Sequence, residues 1–545
     1  MFKNKLLKTS VVAAFMLFAL TKVSYAAGWE ETDGAWKYQK ADGTYASNTW
    51  VTSGDDWYYL GSDEKTLSDT LVEDNDHLYY VDETGKMVKD KWVSFIDDES
   101  TGNKTWYYFD STGKALRGKG DRVAPKVIDG KQYIFDADGK LKTGFLTETG
   151  EVVDDSEGYK FLNAVYYAGE DGALYSDQWL LYTDVGEHGV TSELSQRSYN
   201  EYNEIWLYFD SKGKKVKAKD TTAPKLKEIN GANYSFDEYG AVIPGLALTN
   251  PSQVGTNSNA TVRYGSTDND GAQKGDYWTF AVPNETLDSE DYHNQEFSWF
   301  RTRKDGKVYQ SKIVDVLGRK YAFDNKGRML TAFVVMKPDG SYGKQYDIDA
   351  FEKSDFLVGR HEGTTVGSLL FPLQQKGAKL YLFGTDELND GSMKTGEDIK
   401  VILKDGEAHM GFRPNGVAYG NGYTLERKNN AYYYNGLRLD ADSEIGYASV
   451  KDTRYGDDTY VVVDVLGRVV KGKKRIIQDN EGYFILIKDD KFYARVDSGE
   501  KPRWKDGKFY TYDSSLDKDN RFTGVIEKNT GAESNGFNIA YDTTY

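Results

Sequence analysis

The chain has no cysteine and only five histidines among its 545 residues. Without Cys there is no disulfide to staple domains together, no thiol nucleophile and no thiolate metal ligand. His77, His188, His293, His361 and His409 are scattered with neither metal-ligand nor triad spacing, so no metal site, cofactor or His-based catalytic set is expected. Beyond the first twenty or so residues, no apolar run approaches the length of a membrane helix. Basic patches are missing as well. The formal charge is −17, and loss of Lys3, Lys5, Lys8 and Lys22 with an N-terminal leader makes it about −21, which disfavours nucleic acid and anionic surfaces as partners. Helical periodicity is weak throughout.

What is present begins with that leader. A basic stretch, Met1 to Lys8, precedes an apolar run from Val11 to Leu20 and then Ser24-Tyr25-Ala26, a pattern that suits cleavage after Ala26 and is too short to span a bilayer. The mature chain is therefore expected to be secreted. Its mean hydropathy of −0.67 alone would suggest disorder. Against that stand 42 Tyr, 25 Phe and 11 Trp, because disordered chains are poor in aromatics.

The aromatics fall into a recurring phrase. It reads Trp106-Tyr107-Tyr108-Phe109-Asp110-Ser111-Thr112-Gly113-Lys114-Ala115-Leu116 and returns at Trp206 to Val216, with shorter forms at Tyr133 to Gly139, Tyr234 to Gly240 and Tyr321 to Gly327. Asp suits the first position of a type I turn, and Gly three residues later can take positive φ without a Cβ clash. The phrase thus predicts a hairpin loop, with the aromatic run in one strand and Lys114-Ala115-Leu116 in the next. Alternation places Tyr107 and Phe109 on one face, Trp106 and Tyr108 on the other. One hairpin cannot bury two aromatic faces, so successive hairpins must stack. The expected fold is all-β: an elongated solenoid of stacked β-hairpins, stabilised by an aromatic ladder rather than a central core, with looser inserted segments.

Longer copies set the expected organisation. The stretch from Trp106 through Tyr133 to Gly144-Phe145-Leu146 returns as Trp206 through Tyr234 to Gly245-Leu246-Ala247. Residues 1–26 are read as the leader, 27–146 as Trp-rich repeats, 147–248 as a diverged module, 249–300 as a polar insert and strand, and 301–545 as further diverged modules. Thr249 to Asp276 and Pro338 to Thr365 read as loops or inserts. Asp268-Asn269-Asp270-Gly271 lacks the closing Glu of a calcium loop and reads as a turn.

Gly28-Trp29, Gly34-Ala35-Trp36-Lys37-Tyr38 and Asp42-Gly43, continued by Trp50, Gly54 and Trp57-Tyr58-Tyr59, resemble the repeat of the choline-binding and cell-wall-binding proteins of Gram-positive bacteria. Glucan-binding repeats are related to it. The resemblance implies a hairpin solenoid attached to teichoic-acid choline or to glycan, with aromatics of adjacent hairpins forming a cage. A quaternary ammonium donates no hydrogen bond, so ring faces hold it, at about 0.5–2 kcal/mol per contact. Carried over position by position, the ligand-binding candidates are Trp29, Trp36, Tyr38, Trp50, Trp57 and Tyr59, then Trp92, Trp106 and Tyr108.

After about residue 120 the pattern departs. Gly-Trp becomes Gly144-Phe145 or Gly245-Leu246, and Trp-Tyr-Tyr becomes Gln132-Tyr133-Ile134 or Asn233-Tyr234-Ser235. Repeat spacing is also longer than the family unit of about 20 residues. Those later hairpins are expected to be structural. The functional expectation is a secreted, non-catalytic, wall-associated protein whose partner is a cell-wall polymer. The alternatives are capture of extracellular glucan and a wall hydrolase with an unrecognised catalytic segment.

Overall fold

The computed structural model describes residues 26–539, except 33, 99–102, 119–123, 154–158, 184–189, 196–198, 200–203, 249–261, 267–270, 284, 286, 358–376, 386–389, 422–424, 453–458 and 530–536. The expected leader, apart from Ala26, lies outside the described residues, as do His188, His361 and Asp268 to Asp270. The chain is all-β, built mainly of small antiparallel sheets. It divides into two compact units, one of residues 1–190 with 199–216 and the other of 191–198 with 217–545.

The first unit opens with four successive hairpins. They pair β1 (Gly28–Thr32) with β2 (Ala35–Gln39), β3 (Thr49–Ser53) with β4 (Asp56–Leu60), β5 (Thr70–Asp74) with β6 (His77–Val81), and β7 (Lys91–Asp98) with β8 (Asn103–Phe109). The Asp-x-x-Gly turn closes as expected. Asp110 Oδ1 accepts from the backbone N–H groups of Thr112 (2.8 Å) and Lys114 (3.1 Å), Gly113 N–H donates to the Asp110 carbonyl (2.8 Å), and Gly113 takes φ +81°. The carboxylate thereby satisfies turn donors that would otherwise face water.

Its role differs from the expected one. In the first four repeats a two-stranded sheet forms between the aromatic strand and the strand before it, and the segment after Gly113 makes only the single bridge Phe109 to Ala115, whereas at Tyr321 to Leu330 the third segment joins as a short strand. That third segment does something else. Its backbone reaches the preceding hairpin: Thr66 N–H donates to the Trp36 carbonyl (2.9 Å), Met87 to Trp57 (2.8 Å), Ala115 to Leu78 (2.7 Å) and Leu141 to Trp106 (2.9 Å). In the second unit Gln273 reaches Asn233 (2.7 Å), Val308 reaches Val262 (2.8 Å) and Ala418 reaches Leu380 (2.9 Å) by the same rule. Each of these hairpins is thus clasped by the tail of its successor.

The turn glycine also sits on the third segment of the preceding repeat. A Cβ at Gly113 would lie 2.3 Å from Met87 Sδ, and one at Gly172 would lie 2.3 Å from a Leu141 methyl. Gly130, with φ +79°, has nothing within 4 Å. Gly130→Ala should therefore cost about 1–2 kcal/mol for the left-handed backbone alone. Gly113→Ala should cost more, because Met87 must also move. Thermal melts of the two variants check this; equal shifts would show that the close approach is unimportant.

The second unit corrects two expectations. Around residues 333–437 the aromatic ladder gives way to a mixed aliphatic and aromatic core that includes Phe333, Val335, Phe356, Leu380, Met410 and Phe412, all buried. Pro338 to Thr365 is not simply a loop either. Tyr342–Tyr346 pairs with Ala332–Met336, and a 3-10 turn (Ile348–Ala350) and short helix (Lys353–Leu357) follow, burying Phe351 and Phe356. Polar spacing hid these elements, whose apolar residues are few but fully used.

Candidate functional site

Antiparallel register decides which candidate residues share a face. Trp29 pairs with Tyr38, Trp50 with Tyr59 and Trp92 with Tyr108, so each Trp stands beside its cross-strand Tyr. Trp36, Trp57 and Trp106 lie two residues before those tyrosines, at the diagonal position of the same face, within reach of a large ring. Each of these three faces therefore holds a first-strand Trp, a Tyr and a diagonal Trp.

The next hairpin supplies a fourth ring. Trp29 meets Tyr38 at 5.4 Å and 72° between planes, and Tyr58 of the following hairpin at 5.3 Å and 69°. Trp50 meets Tyr59 (5.0 Å, 70°) and the next hairpin's Tyr79 (5.1 Å, 63°) in the same way. Trp92 meets Tyr108 (5.1 Å, 65°) and Tyr133 (4.9 Å, 61°), but Phe135 also stacks on it at 5.9 Å and 27°, so this corner is more closed than the first two. Edge-to-face geometry of this kind leaves ring faces turned toward a shared corner, unlike parallel stacking, which covers them.

Burial separates two roles within the set. Trp29, Trp50 and Trp92 are half-buried between hairpins, and Tyr59 is buried. Trp36, Trp57 and Trp106 are 49%, 39% and 41% exposed. Their backbone carbonyls are the acceptors of the clasping bonds described above, so the main chain is fixed while the indole remains open to solvent. Burial raises the phenol pKa of Tyr59, Tyr79, Tyr108 and Tyr133 above its ordinary value, which keeps these rings neutral across any physiological pH. A neutral aromatic corner with solvent access can hold a quaternary ammonium by cation–π attraction or the apolar face of a sugar by stacking.

The third hairpin lacks this arrangement. Leu71 and Tyr80 take the paired positions and Leu78 the diagonal one. Tyr80 donates to Asp69 (2.7 Å), and burial together with that bond pushes its pKa up to about 12. Phe95 and Phe109 pack against its ring.

Several solved structures show a partial likeness to this chain. The resemblance is to choline-binding proteins. The modular autolysin LytC of Streptococcus pneumoniae is 17% identical, with a TM-score of 0.31 over 57% of this chain and 54% of that chain, so the match spans about half of the autolysin. Choline binding protein F of the same organism is 16% identical, with a TM-score of 0.33 over 56% of this chain and 93% of that one. CbpJ of strain TIGR4 is 14% identical, with a TM-score of 0.23 over 56% and 100%. No family model and no curated protein sequence matches the chain.

Two further Trp diagonals escape the choline-binding spacing in the sequence. Trp179 and Trp206 lie 6.2 Å apart at 89°, and Trp278 and Trp299 lie 6.3 Å apart at 86°. Both pairs hold the positions of Trp29 and Trp36 in their hairpins. The connection between strands is two residues in the first hairpin and more than a dozen in these two, so the same register is kept across a far longer separation in sequence. Trp278 also meets Tyr321 of the next hairpin at 4.9 Å and 69°. There the cross-strand Tyr is replaced by Arg301, whose guanidinium lies 5.6 Å from the Trp278 ring centre. The protein's own cation covers this Trp.

Proposed function

We propose that the protein is a secreted, non-catalytic, wall-associated protein that holds a cell-wall polymer through the Trp-rich hairpins of residues 27–146. The observation that carries this reading is the repetition, in three hairpins, of an open diagonal Trp beside an edge-to-face Trp and Tyr corner completed by the next hairpin. A single exposed Trp means little. Similar corners on the first, second and fourth hairpins suit a polymer that presents the same group at intervals, because linked weak contacts raise avidity by about 10²–10⁴ when the spacing permits.

Steep ring angles favour a compact, roughly spherical group, and a quaternary ammonium such as teichoic-acid choline fits best. The strongly acidic chain assists electrostatically. Under this reading the later hairpins, where Phe145 is buried against Tyr167 and Tyr182 and Arg301 covers Trp278, form a stalk or display surface. Sedimentation of the mature chain with purified walls provides the test. Binding and elution by millimolar choline are expected. Elution by wall glycan or glucan but not by choline would reassign the same corners to sugar, and absence of sedimentation would reject the proposal.

A further inference from the structure

Against the expectation that basic patches are missing, one stretch of the second unit reverses the sign of the chain. Residues 466–510 hold twelve Lys and Arg against seven Asp and Glu, in a protein whose formal charge is −17. At its centre is the run Lys471-Gly472-Lys473-Lys474-Arg475, all four of whose cations are exposed. A run this short often marks no more than a solvated connection. Here the fold brings further cations to it.

Lys474–Gln478 pairs with Phe484–Lys488, and that strand with Lys491–Val496, so Lys474 stands opposite Lys488 and Lys488 opposite Lys491. The turn between the last two strands is bound back onto the basic run. Asp489 N–H donates to the Lys473 carbonyl (3.1 Å), Asp490 N–H to the Gly472 carbonyl (3.0 Å), and Gly472 N–H to Asp490 Oδ1 (2.7 Å). Lys488 Nζ reaches the Gly507 carbonyl (3.5 Å), in the turn between Lys505 and Lys508, which are themselves cross-strand partners. Like charges set directly opposite one another destabilise a sheet. Internal ion pairs do not relieve them: those of the stretch join Arg468 to Asp464 and Arg495 to Asp479 and Glu481, while Lys471, Lys473, Lys474 and Lys508 have none among the described residues.

From this juxtaposition we infer that the face built on Lys471 to Arg475 is a docking surface for a flexible linear polyanion bearing phosphate or sulfate groups. Lysine predominates, and a point charge with rotatable donors takes a tetrahedral oxyanion from any side, whereas matched recognition of a planar carboxylate uses the guanidinium fork. The cations are exposed and spread over neighbouring segments, so no single small ion is enclosed, and an isolated exposed pair is weak. A polymer engages several at once and releases its counterions. Charges interact over about 8 Å at physiological salt, so a thin chain lying on this face is screened from the acidic remainder of the protein, and a wide, stiff nucleic-acid duplex is not. The surface does not depend on the reading proposed for residues 27–146.

The test is titration of the full mature chain with short-chain polyphosphate and with heparin oligosaccharide, with neutral dextran and a DNA duplex as controls. Saturable binding of at least one of the first two is expected, phosphate and sulfate being distinguished by which responds. Affinity should fall about 10–100-fold between about 50 and 200 mM NaCl, as some four counterions are released. Lys471→Gln, Lys473→Gln, Lys474→Gln and Lys508→Gln together should weaken binding about tenfold or more and flatten that salt dependence. Lys212→Gln, Lys217→Gln, Lys219→Gln and Lys225→Gln remove the same charge from exposed positions elsewhere and should bind as the parent does. Should the first variant melt early, the salt dependence of the parent and the second variant still decide. No saturable binding of either polyanion, binding insensitive to salt, equal loss in the second variant, or tighter binding of the duplex would overturn the inference.

Discussion

Trp36→Ala combined with Trp57→Ala is expected to remove nearly all wall binding while leaving the fold intact. The two indoles are the most exposed rings of the first two corners, so their loss creates no buried cavity. Their carbonyls still accept from Thr66 and Met87, because those bonds use the main chain only. Two of the three corners would lose a wall, and binding that depends on linkage among weak sites should fall by about 10²-fold or more. Sedimentation with walls and a far-UV circular dichroism melt measure the two halves of the statement. Retained binding would exclude these residues, and a large drop in melting temperature would show that they act in packing. Trp50→Ala is the informative contrast, since a ring wedged between Tyr59 and Tyr79 should cost both stability and binding.

Arg328→Ala is expected to give the largest loss of stability. Arg328 joins three carboxylates from two places in the chain, Asp288 and Asp291 at the start of one short helix and Asp324 beside the arginine in sequence, whose side chains are only 6%, 10% and 1% exposed. Breaking a buried pair by removing one partner costs about 3–5 kcal/mol, since the remaining charge is left without compensation. Burial draws the Asp288 pKa upward, yet the Lys326 and Arg328 contacts outweigh it and hold the group below its ordinary value. A carboxylate depressed on folding contributes stability above its unfolded pKa and loses it as pH falls through the folded one. The native cluster should therefore weaken only in acid below the usual carboxylate range. In Arg328→Ala, Asp288 keeps its burial and Lys326 but loses the arginine, so less acid-labile stability is left to lose and the gap from the parent should narrow as pH falls. Hydrogen exchange over residues 288–330 at two pH values reads this locally. A deficit that grows in acid would contradict the assigned electrostatics.

Much of the fold was legible because the turn chemistry is local. Asp110 and Gly113 specify their loop through bonds within five residues, and the same logic repeats wherever the phrase recurs. The pairing of strands was less legible. The preceding strand of each repeat carries few aromatics, and its start is marked by a weaker sign, an Asn or Asp in the left-handed region just ahead of it: Asn48 (φ 47°), Asp69 (46°), Asp90 (46°) and Asp177 (50°). These residues tolerate that conformation through their short polar side chains. The Trp179 and Trp278 faces were hidden for a different reason, since long connections separate strands that remain paired. Arg301 over Trp278 could not be foreseen from spacing, because its meaning depends on which ring lies across the strand.

The clasp between neighbouring repeats has a consequence for how the chain reaches its native state. A hairpin's own turn forms at once, but the bond to its carbonyl comes from a segment some thirty residues further on, as Met87 to Trp57 illustrates. A hairpin emerging from the ribosome thus waits half-finished until its successor arrives, and is then locked. During synthesis the hairpins are therefore expected to be completed in chain order, each when the third segment of its successor arrives. Because each lock involves only adjacent repeats, a local defect delays its neighbours and leaves distant hairpins untouched.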